Sequence, residues 1–212
     1  MRNILQIALI AVFIVALGSV SVEARSKMTY ANVSVSAPTK DRVTVCHGFG
    51  CRYQSPAWLS ARDLRSVRRI MAKGKRSAKA ERAAIAKAVQ WFDRRYAKEI
   101  GTHVDIGGFD PQNARKRGQQ DCIDEAITTT GVLKMLTANG FLTHHRVGRP
   151  TSRGFFLDGR YPHATATVFP LAGGHGYAVD PWLHNQGAKP DIIALPEWRK
   201  MRRSDYRAFT SR

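Results

Sequence analysis

Gly118-Gln119-Gln120-Asp121-Cys122-Ile123-Asp124-Glu125-Ala126 is the stretch whose reading decides the fold. A loop ends here and a helix begins. Asp121 is a good N-cap, and Asp124, three residues on, completes a capping-box-like pattern. Apolar or small residues then recur at helical spacing: Ile123, Ala126, Ile127, Thr130, Leu133, Leu136. Asn139-Gly140 closes the helix with residues that tolerate a left-handed backbone. Cys122 thus falls in the first turn, where free N–H groups and the positive end of the helix dipole favour a thiolate. The plain alternative for a lone cysteine is packing under the helix start.

Two downstream segments bear on that choice. Tyr161-Pro162-His163-Ala164-Thr165-Ala166-Thr167-Val168-Phe169 alternates as a strand that begins at a histidine. Gly176-Tyr177-Ala178-Val179-Asp180-Pro181-Trp182 is a second strand, ending at an aspartate. Leu171-Ala172-Gly173-Gly174-His175 is the turn between them. In a hairpin, the 17-residue spacing from His163 to Asp180 can bring the two side chains together. A helix-borne Cys, a strand-borne His and an Asp on the neighbouring strand can form a thiolate–imidazolium–carboxylate set. His144, His145 and His175 compete with His163. The adjacent pair must point to opposite faces of a strand, and His175 sits in a glycine-rich turn.

The order, spacing and context of Cys122, His163 and Asp180 resemble the transglutaminase-like cysteine protease superfamily, in particular its bacterial periplasmic members. The resemblance covers roughly residues 118–198. It implies an α+β fold in which a Cys-bearing helix packs on an antiparallel sheet, here with an N-terminal helical extension. It implies Cys122 as nucleophile, His163 as general base and acid, and Asp180 as the residue orienting His163. A protein or peptide amide is the substrate class implied, and no cofactor is required. The backbone N–H of Cys122, or a side-chain amide of Gln119 or Gln120, is a candidate oxyanion donor, although either glutamine can equally be an ordinary loop residue. Some relatives bind calcium beside the nucleophile. Asp121, Asp124 and Glu125 raise that idea, but Ile123 stands where a further acidic ligand would be wanted, and capping is the better reading.

Working outward, residues 118–212 form the expected catalytic core and residues 56–117 a helical region ending in a loop, the two making one compact domain. Ser55-Pro56 is read as the start of a helix with Leu59, Leu64, Val67, Ile70 and Met71 on one face. Gly74 breaks it. Ser77 opens a second helix, through about Glu99, with Ile85, Ala88, Val89, Phe92 and Tyr96 on one side and Trp91 at its edge. The basic residues between Arg62 and Arg82 read first as the solvated side of these helices and second as a dock for an anionic surface. Gly107-Gly108 and Asp110-Pro111 mark turns in the loop over 102–117, which can wall a cleft. The segment 141–147 reads as a strand and 150–160 as a polar loop. In the tail, Ile192, Ile193, Leu195 and Trp198 are expected to pack on the sheet, followed by the basic run Arg199-Lys200-Met201-Arg202-Arg203.

The N-terminus has a short positive segment, an almost wholly apolar run over 4–20, and Val22-Glu23-Ala24. This reads as a secretory signal, residues 1–24, cut after Ala24, rather than as an uncleaved anchor, since the run is short for a span. Export to the periplasm or beyond is the localisation implied. Residues 25–55 then form a flexible Ser/Thr-rich leader over 25–40, a short strand over 41–45, and the loop Cys46-His47-Gly48-Phe49-Gly50-Cys51. In an exported chain Cys46 and Cys51 most simply form a disulfide, which leaves Cys122 as the free thiol. A zinc site from Cys46, His47 and Cys51 lacks an obvious fourth ligand. The net charge of +18 is unchanged by removal of Arg2 and Glu23 with the signal. With no nucleic-acid motif and with export, that charge points to an anionic cell-envelope surface or to acidic substrates rather than to nucleic acid, and equally to a solvated basic surface with no partner.

Overall fold

A computed structural model of the chain describes residues 27–154 and 162–202. The expected signal segment, much of the loop over 150–160, Tyr161 and Arg203 lie outside the described residues.

The N-terminal part departs from the sequence reading. The segment taken as a flexible leader is a hairpin of β1 (Lys27–Tyr30) and β2 (Val33–Ser36), turned through Ala31 and Asn32 in the left-handed region. Its Met28 and Val35 are buried against Cys46, Cys51 and Ile127. A second hairpin joins β3 (Arg42–His47) to β4 (Tyr53–Trp58). Pro56 therefore lies in a strand, not at a helix start. Its missing N–H is tolerated because this sheet has two strands and each has an open edge. The Cys46–Cys51 disulfide closes the turn of this hairpin.

Helix α1 (Ala61–Ala72) begins at Ser60, which forms a capping box with Asp63. Helix α2 (Ala78–Ile100) runs from its cap Ser77 to Gly101 in the left-handed conformation, as the sequence predicts. The loop that follows contains two short 3-10 turns, Thr102–Val104 and Pro111–Asn113. Helix α3 (Cys122–Ala138) carries the nucleophile candidate, with Asp121 as N-cap and Asp124 completing the box.

The main sheet is antiparallel. β5 (His145–Val147) and β6 (Thr151–Arg153) lie one after the other along the same edge of β7 (His163–Pro170); β8 (Tyr177–Asp180) and β9 (Asp191–Ala194) continue on its other side. Helix α4 (Leu195–Lys200) closes the described chain. Strand β5 is shorter than the sequence suggests, because the chain over 141–144 is held in loop form by Glu81. That buried carboxylate accepts from the Thr143 N–H and hydroxyl and from the His144 N–H.

Helix α3 is the centre of the molecule. It packs between the β3–β4 hairpin and the main sheet, with α2 alongside. Val132, Leu133, Met135 and Leu136 meet Val43, Val45 and Ala57 on one side and Ala166, Val168 and Val179 on the other, with Ile85, Val89 and Phe92 of α2 in the same core. Burial on several sides explains why α3 lacks a polar stripe in its sequence. Ile193, Leu195 and Trp198 cluster with Ala178 as the tail was expected to pack, whereas Ile192, expected with them, turns to the core that holds α3. The fold is thus α+β, with strands segregated into antiparallel sheets. No helix among the described residues is long and apolar enough to cross a membrane.

Candidate active site

The N-terminus of α3 is fixed by the disulfide turn. Beyond their own capping bonds, the carboxyl oxygens of Asp121 and Asp124 accept three backbone N–H groups of that turn: Gly50 to Asp121 Oδ2, Phe49 to Asp124 Oδ2 and Cys51 to Asp124 Oδ1. Phe49, Gly50 and Cys51 present those N–H groups because each has a positive φ. The Thr128 hydroxyl adds a bond from the Cys46 N–H at 3.0 Å. The turn before Cys122 is equally constrained. Gly118, at φ +88°, packs so closely on the Gly101 carbonyl that a Cβ there would overlap it. Cys122 is the first helical residue, half-buried and free of any disulfide.

The hairpin β7–β8 brings His163 and Asp180 together. Its register pairs Ala166 with Val179 and Thr167 with Ala178. Continued by one step, Thr165 lies opposite Asp180, so His163 and Asp180 are diagonal neighbours on one face. The His163 Nε2–Asp180 Oδ2 distance is 2.6 Å, and both side chains are buried. Trp198 of α4 donates its indole N–H to the same Oδ2 at 2.7 Å. The His163 ring also lies 4.4 Å, centroid to centroid, from Trp182 and 5.6 Å from Trp198. Aspartate and tryptophans together fix the plane of the imidazole.

Cys122, His163 and Ala164 line one cavity of about 390 Å³. Its other walls include Tyr30 of the N-terminal hairpin, Phe49 of the disulfide turn, Phe109 and Trp182. The loop over 102–117 walls one side through Gly108–Pro111 and Ala114, as the sequence suggests. Tyr30 is a surprise, because its hairpin was read as unstructured.

The electrostatics run against a resting thiolate. Burial pushes the Cys122 thiol up to about 12, and Asp121, Glu125 and Asp180 add to the rise; the Ala164 N–H on the sulfur opposes only part of it. Burial first, and these acids second, outweigh what the helix dipole offers a thiolate. Behind the cysteine, burial and then neighbouring acids raise Glu125 well above the usual carboxylate range. Asp124 rises to about 8, by burial and then Asp121. Asp180 goes the other way: despite burial, His163 and Trp198 hold it below the ordinary value.

Asp93 of α2 is raised to about 7, first by burial and then by Asp105. Its folded pKa exceeds its unfolded one, so the stability it contributes is complete near pH 4 and lost as pH rises through about 7. Asp93→Asn should therefore be more stable than the wild type at pH 8, by on the order of 2–4 kcal/mol, with little gain at pH 4.5. Urea denaturation of both proteins at the two pH values measures this. An equal effect at both would remove the titration as the cause.

The remaining candidate residues are placed as follows. Gln119 Nε2 donates to the Val104 carbonyl at 2.8 Å and Gln120 Nε2 to the Cys46 carbonyl at 2.8 Å, and neither side chain lines the cavity. Both amide groups pin the loop that delivers Cys122. His145 pairs with Glu81 at 2.9 Å, and its ring lies near Tyr177, where it joins α2 to the sheet rather than lining the cavity. His144 lies against the Lys75 carbonyl. His47 accepts the Gly118 N–H at Nδ1 and meets the Ser55 hydroxyl at Nε2. With Cys46 and Cys51 joined in a disulfide, the zinc alternative loses its thiolates as well. Each of the four oxygens of Asp121 and Asp124 accepts a backbone N–H group, the capping use expected of these residues extended to the disulfide turn. Trp198 was read from sequence only as a packing residue, and its bond to Asp180 was missed. Its indole N–H gives no local signal 18 residues beyond Asp180.

No family model, curated protein or solved structure matches the chain.

Proposed function

We propose that this chain is an exported, transglutaminase-like cysteine peptidase that cleaves peptide or isopeptide amides through Cys122, His163 and Asp180. The buried His163–Asp180 bond, on a cavity wall shared with Cys122, carries the reading. With Nε2 held by Asp180, proton exchange with sulfur falls to Nδ1. Because the thiol is raised, Cys122 rests as S–H, and its proton passes to His163 as sulfur attacks the carbonyl carbon. The tetrahedral oxyanion is met by the Cys122 backbone N–H at the helix start. Collapse breaks the C–N bond, and His163 returns the proton to the departing amine, leaving a thioester on Cys122. Water, deprotonated by His163, then releases the acid and restores the thiol. An amine in place of water gives transfer. No cofactor enters these steps.

The raised thiol favours one rival, a basic envelope-binding module that keeps the fold without turnover. Alkylation of Cys122 by iodoacetamide, followed by mass spectrometry across pH, separates the two. In the enzyme, His163 takes the proton as sulfur attacks, so wild-type Cys122 should label faster at pH 8 than Cys122 of His163→Ala. In His163→Ala the rate should still be climbing at pH 10. At pH 8 it should be slower than in the unfolded chain by up to about 10³-fold, following the rise from 9.0 to about 12. Identical profiles for wild type and variant would favour the binding module.

A further inference from the structure

We propose that α1 and the turn after it form a docking face for anionic phospholipid membranes, with the Cys122 cavity held at the opposite pole. The inference is independent of catalysis. Val67 and Met71 turn inward, while Arg62, Arg65, Arg68 and Arg69 are exposed, followed by Lys73, Lys75 and Arg76. None of these seven forms an ion pair with another described residue. The acid of α1, Asp63, faces inward to Ser60 and Arg95 and neutralises none of them. Solubility alone would account for exposed charge, but two other features lie at the two ends of α1.

The first is Trp58, which stands two residues before the cap of α1 and is 57% exposed. An indole at the margin of a basic amphipathic helix suits the headgroup region of a bilayer. The second is a cavity of about 350 Å³ between α1 and the C-terminal end of α3, lined by Arg68, Lys75, Asn139 and Gly140 together with the apolar Met71, Ala72 and Phe141. Two cations lining one concavity suit one phosphodiester headgroup. The turn that carries Lys75 is held in shape, with its carbonyl against His144 Nε2 at 2.8 Å.

The orientation follows from two rods. Helix α3 is 17 residues, about 25 Å, with Cys122 at one end and this cavity at the other. The β3–β4 hairpin runs the same way: its disulfide turn caps the Cys122 end, and Arg42 and Trp58 are paired at the far end. A membrane against α1 therefore leaves the cleft open to large substrates.

The test is flotation of the full chain with phosphatidylcholine vesicles, with and without phosphatidylglycerol, at low and high salt. Insertion of the apolar N-terminal run would be the same in both vesicles, so the phosphatidylglycerol-dependent, salt-sensitive part reports the basic face. Combined Arg62→Gln, Arg65→Gln, Arg68→Gln and Arg69→Gln should weaken that part by on the order of 10²–10³-fold. Lys87→Gln, Lys98→Gln, Lys116→Gln and Lys189→Gln remove the same charge elsewhere and should cost under about 10-fold. Trp58→Phe should abolish the vesicle-induced blue shift of tryptophan emission. Circular dichroism and unchanged alkylation of Cys122 would show that the variants are folded, and keep a failure here separate from a failure of the catalytic reading. Equal binding to both vesicles, equal loss in the two quadruple variants, or displacement of the chain from vesicles by soluble polyphosphate at matched phosphate concentration would overturn the assignment.

Discussion

Cys122→Ala should abolish covalent turnover, and His163→Ala should lower it by at least about 10³-fold, the range expected when a general base is removed from a nucleophile that cannot ionise alone. The dependence on His163 should be unusually strong here. In sites where the thiolate is already formed, loss of the histidine leaves a nucleophile behind. In this protein burial, Asp121, Glu125 and Asp180 keep the sulfur protonated, so no such reserve exists. His144→Ala and His175→Ala should retain most activity. His145→Ala should lose stability instead, because it leaves the buried Glu81 short of a partner. The measurement is cleavage of a peptide-amide library by folded variants, scored by mass spectrometry. A folded Cys122→Ala protein with wild-type turnover would falsify the mechanism.

Asp180→Asn should reduce kcat by on the order of 10²–10⁴-fold with KM little changed, by the logic of orienting carboxylates. The amide that replaces the carboxylate can present its NH₂ to His163 Nε2 and select the wrong tautomer. Trp198 makes the effect separable. Its indole donates to the same Oδ2 that binds His163, so Trp198→Phe keeps the ring but leaves Asp180 with one donor fewer. That variant should lose only about 10-fold, as one neutral hydrogen bond to a charged group is worth about 1.5–3 kcal/mol, and part of it is recovered by His163. It should also shift the acid limb of the pH–rate profile, because the carboxylate that faces the imidazole is altered; a merely structural tryptophan would lower stability without moving that limb. Equal rates for wild type and folded Asp180→Asn would remove Asp180 from the mechanism.

The disulfide turn and the acids of α3 illustrate how far local reading reaches. Asp121 and Asp124 were legible as caps, and they are. That their remaining oxygens also hold the N–H groups of Phe49, Gly50 and Cys51, more than 70 residues away in sequence, was not. A cap is a contact over three residues. The second use of the same oxygens depends on which turn is brought against them.

The sequence by itself determined the helices at 78–100 and 122–138, the Cys46–Cys51 pair, and the juxtaposition of His163 with Asp180 across a hairpin. Each follows from rules that act over a few residues or one turn: periodicity, caps, spacing and strand alternation. Only the tertiary structure decided that residues 27–36 form a wall beside the cavity, and that the glutamines are spent on backbone carbonyls. Only it placed Trp198 on Asp180 and left the thiol of Cys122 protonated. The reason is common to all four. Desolvation and Coulomb fields sum over every neighbour within several ångströms, whatever its distance along the chain. A helix start that favours a thiolate in isolation therefore disfavours it once it is buried with Asp121, Glu125 and Asp180 around it.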